Sequence, residues 1–232
     1  MPRKTFVLLP GLLNTRRVFE HQIAALSDIA DCIVPELWHY DTMGAMADAA
    51  LAAAPATFAL AGFSMGGYVA FEILRRAPER VERLALIDTQ ATPDSAEQVA
   101  RRHGLVEQTH IGRFHGVQPS MLPHIVHRSH LAEPAVTQPI LDMAREIGAE
   151  GFLREQTAIL ARPDSRPLLV DIEVPTVVIV GRQDQSTPLG RAQEMAADIA
   201  TSRLVVIEDC GHMSPLEKPD EVTATLRRWL TE

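Results

Sequence analysis

A chain of 232 residues, 46% of them hydrophobic and 22% charged, is long enough to bury a substantial core as one α/β domain with an insertion. The net charge of −8, with no basic stripe and only scattered Arg pairs, argues against nucleic acid as a partner. Its two cysteines, Cys32 and Cys210, provide neither a disulfide framework nor a metal-ligand spacing, and they read as buried thiols in a reducing compartment.

The first residues, Met1 to Lys4 followed by the apolar Thr5–Leu9, superficially resemble the start of a signal peptide, but Pro10-Gly11 interrupts the run after five residues. The run is therefore expected to be a strand buried on both faces, and the protein cytoplasmic. No apolar stretch approaches the length of a membrane span. A helix is expected from about Val18 to Ile29, a short strand over Cys32–Pro35 and a helix over the Ala- and Met-rich Thr42–Ala53. Thr57–Ala61 is the next strand, followed by a helix to about Ala77 that Pro78 stops, and Leu84–Asp88 is the strand after that.

From Thr89 to about Val174 the strand signal disappears, and prolines and polar residues divide helical patterns at Asp94–Arg102, Ala135–Ile147 and Gly151–Ala161. Residues 90–174 thus read as a helical cap inserted between core segments 1–89 and 175–232. The buried-strand signature returns at Pro175–Val180, followed by a helix over Leu189–Ile199, a last strand over Leu204–Ile207 and a closing helix over Asp220–Leu230. Strands alternating with helices predict a doubly wound, mostly parallel sheet with right-handed crossovers.

One turn in this plan carries chemistry. Gly62-Phe63-Ser64-Met65-Gly66 is a Gly-x-Ser-x-Gly motif between an apolar run and a helix with Val69, Ala70, Ile73 and Leu74 at helical spacing. Such a strand-to-helix elbow lifts one serine out of the sheet and needs small residues on both sides of it. A serine hydroxyl is a poor nucleophile without a base, and the base needs a carboxylate to hold its tautomer. Asp184 lies in the loop after Pro175–Val180, and His212 in the loop after the last strand, both at carboxyl ends where open α/β sheets place their sites. Asp88, at the end of Leu84–Asp88, is the competing acid; Asp209, three residues before His212, carries little weight.

Three motifs in this order, Gly62-x-Ser64-x-Gly66, Gly181-x-x-Asp184-x-x-x-Pro188 and Gly211-His212 followed by Pro215-Leu216-Glu217, closely resemble the α/β-hydrolase superfamily across the whole chain outside the cap. The resemblance implies Ser64 as nucleophile, His212 as general base and then acid, and Asp184 as the orienting carboxylate. It also implies an oxyanion hole from the backbone N–H groups of Met65 and Leu12, although the usual His-Gly of the second loop is Pro10-Gly11 here. Because this chain begins almost directly with the strand leading into that loop, the two strands that precede it in the usual fold are expected to be missing. A six-stranded, wholly parallel sheet is the consequence.

The implied activity is a carboxylesterase-type serine hydrolase acting on a small or medium ester, with no cofactor. Enol-lactone hydrolysis, carbon–carbon bond hydrolysis and a lyase reaction use the same scaffold; a nucleophilic aspartate is excluded because the elbow residue is Ser64. A reading of another class is a hydrolase-fold binding protein without turnover. The expected partner is a small-molecule ester or lactone, with neither nucleic acid nor membrane, and Trp38, Phe63 and Met213 are candidates to line an apolar acyl pocket. The cap is rich in histidine, at His103, His110, His115, His124, His127 and His130, but has no H-E-x-x-H pattern. His124 and His127 could share a helix face that the helical period denies to His130. Cap surface or pocket lining, with no metal, is the expectation for all six.

Overall fold

The runs that are apolar at successive positions become the strands of a sheet covered on both sides, as parallel sheets require. A computed structural model describes residues 3–232, and in it β1 (Lys4–Leu9), β2 (Ala30–Ile33), β3 (Phe58–Phe63), β4 (Val81–Ile87), β5 (Thr176–Gly181) and β6 (Ser202–Ile207) form one sheet. The strand order is β2-β1-β3-β4-β5-β6, and all five pairings are parallel. After β1 the chain steps outward to β2, then returns to place β3 on the other side of β1. That reversal makes the carboxyl ends of β1 and β3 the switch point at which such sheets open a crevice.

Side chains alternate between two cores, as the period of two demands. Val7, Leu9, Leu60, Leu84, Leu86, Val178 and Val180 share one cluster with α2 (Met43–Ala53), α3 (Met65–Arg76) and α7 (Leu189–Asp198). Phe6, Leu8, Ala59, Ala61, Phe63, Ala85, Ile87, Val177 and Ile179 face the other way, toward Val18, Phe19 and the closing helix α9 (Pro219–Thr231).

Some boundaries differ from the sequence reading. The expected helix over Val18–Ile29 is a 3₁₀ turn (Arg16–Phe19) and a short α1 (Glu20–Ala25). Ser27 ends it, its hydroxyl donating to the Ala24 carbonyl at 2.8 Å while the amides of Ile29 and Ala30 close a turn on Leu26. Strand β2 lies two residues earlier than expected because its pairing with β1 begins at Ala30 and ends at Ile33, before Pro35.

Between β4 and β5 the chain is helical: α4 (Ala96–His110), capped by a reciprocal Ser95–Gln98 box, a 3₁₀ turn (Pro119–His124), α5 (Pro134–Leu160) and α6 (Arg166–Leu169). The two helices expected at 135–147 and 151–161 are both present within α5, parted where Gly148 leaves the helical region at φ 69°, ψ −172°. His124 ends its 3₁₀ turn and His127 lies beyond it, so the two share no helix face. This segment meets the sheet's helices where the Arg162 guanidinium lies 4.3 Å over the Tyr68 ring of α3, held there by Asp94, which accepts from Arg162 (2.7 Å) and Arg102 (2.6 Å).

Candidate active site

The turn from β3 into α3 places Ser64 at φ 52°, ψ −116°, a strained conformation for a residue with a side chain. It is over-determined by its surroundings. The Ser64 N–H donates to the Ile87 carbonyl at 2.9 Å, and its own carbonyl accepts from the Thr89 hydroxyl at 2.7 Å. The flanking glycines permit the close approach: a Cβ on Gly66 would stand 2.1 Å from the Leu9 carbonyl oxygen, and one on Gly62 2.5 Å from that of Gly66. Backbone cannot yield there, so the spacing of the motif follows from packing.

Loops after β5 and β6 bring the two other motif residues to this turn. Asp184 Oδ1 accepts from the amides of Ser186 (2.7 Å) and Thr187 (3.0 Å), and Oδ2 accepts from the Thr187 hydroxyl at 2.7 Å. The same Oδ2 lies 2.8 Å from His212 Nδ1, while His212 Nε2 lies 2.9 Å from Ser64 Oγ. With Nδ1 donating to a carboxylate, the neutral ring leaves Nε2 as acceptor for the serine proton. Asp184 and His212 are buried and Ser64 is half-buried.

Burial pushes the His212 pKa down, but the charge and hydrogen bond of Asp184, helped by Asp88 and Glu217, outweigh it and raise the value above the ordinary 6.5. For Asp184 burial acts upward, and the imidazole and its hydrogen bonds hold the carboxyl below the usual range. Asp88 is different. Burial and the charge of Asp184 raise it to about 8, and it accepts from the backbone amides of Gly181 (2.9 Å) and Ser214 (3.3 Å), with no hydrogen bond to His212. It braces the β5 end and the histidine loop from beneath.

Glu217, quoted in the histidine motif only as part of a run, organises that loop. Its carboxylate accepts from the amides of Gly211 (3.0 Å), Met213 (2.9 Å) and His127 (2.7 Å), bracketing His212 on both sides. The His212 amide donates to the Ile125 carbonyl at 2.8 Å, so the segment between β4 and β5 also holds the ring in place.

The loop after β1 packs against Ser64: a Cβ on Gly11 would lie 3.1 Å from the Ser64 Cβ. Among the described residues, the N–H groups of Leu12 and Met65 donate to no protein acceptor, which leaves both available. Phe63 and Met213 are buried; the Phe63 ring centroid lies 5.5 Å from that of His212. Trp38 keeps partial exposure beside Leu12, Leu13 and Phe152. Of the six histidines, His130 is buried and bonds Glu133 and the Asp209 carbonyl, and among the described residues no cluster of three or more His, Cys, Asp or Glu could hold a metal. No helix among them is long and apolar enough to cross a membrane.

Glu155 escaped the sequence reading. It lies in α5 with Gly151, Phe152, Ala158 and Ile159 on one buried helix face, and a carboxyl on an apolar stripe is the signal that could have found it.

Comparison with known proteins gives the same outline. A family model described as the alpha/beta hydrolase fold matches residues 38–219. The chain is 29% identical over 194 residues to a pimeloyl-acyl-carrier-protein methyl ester esterase of Aromatoleum aromaticum, covering 78% of this chain and 76% of that protein. A thermophilic esterase from Thermogutta terrifontis superposes with a TM-score of 0.89 at 32% identity, over 98% of this chain and 89% of its own. The enol-lactonase from Burkholderia xenovorans gives 0.87 at 27%, over 100% and 93%.

Proposed function

The chain belongs to the α/β-hydrolase fold family, and from that premise we propose that it is a serine hydrolase cleaving a small or medium carboxylic ester through an acyl-enzyme. The observation that carries this reading is the unbroken run of contacts from Asp184 Oδ2 through His212 to Ser64 Oγ, at 2.8 and 2.9 Å. Ser64 Oγ attacks the ester carbonyl carbon as His212 Nε2 takes the hydroxyl proton. The N–H groups of Leu12 and Met65 hold the oxyanion of the tetrahedral intermediate, and the intermediate collapses by expelling the alcohol, which leaves with the proton from His212. Water then attacks the acyl-serine with His212 again as base, releasing the acid and restoring Ser64. Asp184 stays ionised, holding the ring in its tautomer and balancing the imidazolium.

Residues 90–174 serve as the cap that shapes the acyl pocket with Trp38, and the two free thiols suit a cytoplasmic setting. A second reading, hydrolysis of a cyclic ester, is favoured by the fit to the enol-lactonase, at a TM-score of 0.87. The test is a fluorophosphonate label located by peptide mass together with a panel of p-nitrophenyl esters and lactones. Labelling at Ser64, with turnover that Ser64→Ala abolishes, is expected. A wild type that neither labels nor turns over any of the panel would mark a binding protein instead, and the ratio of ester to lactone turnover separates the two hydrolytic readings.

A further inference from the structure

We propose that Glu155 is a positioning residue for the oxyanion loop, its carboxyl fastening the Leu12–Leu13 peptide so that the Leu12 N–H is held in place with no protein acceptor among the described residues. The proposal rests on the serine-hydrolase reading and adds to it a contact from the segment between β4 and β5.

Two successive peptides make up the turn after Gly11. In the first, the Gly11 carbonyl accepts from the Asn14 amide at 3.1 Å. In the second, the Leu12 carbonyl accepts from Asn14 Nδ2 at 2.6 Å and the Leu13 N–H donates to Glu155 Oε2 at 3.0 Å. Three of the four polar groups are thereby occupied. The fourth, the Leu12 N–H, has no acceptor among the described residues.

The peptide needs holding. Leu13 has φ 57°, in the left-handed region that a leucine avoids. A half-turn of the Leu12–Leu13 peptide would carry Leu13 back to negative φ and relieve that strain. It would also swing the Leu12 carbonyl away from Asn14 and toward Glu155, and unfasten the turn that lies against Ser64. The Glu155 acceptor opposes the flip together with Asn14, because the flip would leave the buried Leu13 N–H without its acceptor and take the Leu12 carbonyl from Asn14 Nδ2, two bonds broken at once.

Glu155 is built for that task alone. It is 1% exposed, no cation pairs with it, and its one hydrogen bond among the described residues comes from Leu13. Leu13 itself packs with Ala144, Ile147 and Phe152, so the surroundings are apolar and the acceptor competes with no water-facing group. Burial raises the carboxyl to about 8, against the opposing pull of the Leu13 amide, and no charged side chain acts on it. It therefore carries its proton at neutral pH and places no negative charge beside a developing oxyanion.

The experiment is steady-state hydrolysis of p-nitrophenyl butyrate at pH 7 by wild type, Glu155→Gln, Glu155→Asp and Glu155→Met, with circular-dichroism melting to establish folding. Gln keeps an acceptor at full length, Asp withdraws it by one methylene and Met removes it. Glu155→Gln is expected to stay within about threefold of wild-type kcat, whereas Asp and Met lose about ten- to a hundredfold in kcat with KM nearly constant, as misplacement of a transition-state contact does. Binding of a trifluoromethyl ketone, whose hemiketal oxyanion uses the same donor, weakens in parallel. If Glu155→Met does not fold, Glu155→Asp decides. Wild-type kcat in Glu155→Asp, or a loss in Glu155→Gln as large as in Glu155→Asp, overturns the proposal. A wild type without turnover overturns the hydrolase reading and this proposal with it, a result seen before any variant is compared.

Discussion

His212 Nε2 stands 2.9 Å from Ser64 Oγ, so base and nucleophile are in hydrogen-bond contact before any substrate arrives. Only the neutral ring can take the serine proton, and Asp184, Asp88 and Glu217 together lift the His212 pKa above 6.5 despite its burial. Below that raised value the ring is an imidazolium and cannot act; above it the base is competent. We expect kcat/KM for a neutral ester to rise with pH through a single ionisation with its midpoint above 6.5, the free-enzyme value that kcat/KM reports. A midpoint at or below 6.5 in the pH–rate profile would mean that burial of the ring outweighs the neighbouring carboxylates, and a rate that does not change with pH across the histidine range would contradict His212 as the base.

Two buried aspartic side chains lie near that histidine, and their contacts separate their roles. Asp184 touches Nδ1 at 2.8 Å, whereas Asp88 is committed to the amides of Gly181 and Ser214. Asp184→Asn should therefore reduce kcat by about a thousandfold or more through loss of the correct tautomer. Asp88→Asn should remain within about tenfold, since it removes a group that supports backbone and touches no reacting atom. Kinetics of the two purified variants on one ester decide it; the opposite ranking would move the acid to the end of β4.

What the sequence made legible follows from how far each signal reaches. Thr5–Leu9 and Pro175–Val180 were visible as strands because both of their faces are buried, and the Ser64 elbow because Gly62 and Gly66 have no room for a Cβ. The long interval without strands was equally plain. Hidden were contacts that join distant segments: the Ile125 carbonyl on the His212 amide, the Glu217 carboxylate on His127, and Glu155 on Leu13, 142 residues away. Periodicity carries no information about such pairings. The shortened helix near Val18 failed for a local reason, a Ser27 side chain that competes for a helix carbonyl.

Glu217 offers a test of how the histidine loop is held. Replacing it by Ala strands the buried amides of Gly211 and Met213 and the part-buried amide of His127 without their acceptor. An unsatisfied buried donor costs about 1–3 kcal/mol, and the three are close enough that their costs will not add simply. A loss of at least about 2 kcal/mol in urea unfolding is expected, with kcat falling because His212 sits between two of the freed amides. Glu217→Gln retains one acceptor oxygen and should fall between Ala and wild type. Unchanged stability in Glu217→Ala would mean that the Ile125 and Asp88 contacts hold the loop without it.

The neutral state of Glu155 has its own thermodynamic signature. Its carboxyl is raised from 4.5 to about 8 by burial, so between those values the folded chain keeps a proton that the unfolded chain has released. The unfolded state then binds fewer protons, and this group's contribution to stability, complete below about pH 4.5, is lost as pH rises toward 8 with a limiting slope of about 1.4 kcal/mol per pH unit. Glutamine does not titrate. The stability of Glu155→Gln relative to wild type should therefore climb with pH across this window and level off above it. Asp88, also raised to about 8, bends both curves alike and cancels in the difference, provided the substitution leaves its surroundings intact. Urea unfolding of the two proteins at pH 5, 6, 7 and 8 measures the effect. A difference that stays flat would mean that Glu155 is ionised inside the fold, and the oxyanion loop would then lie beside a fixed negative charge that opposes the intermediate it is expected to hold.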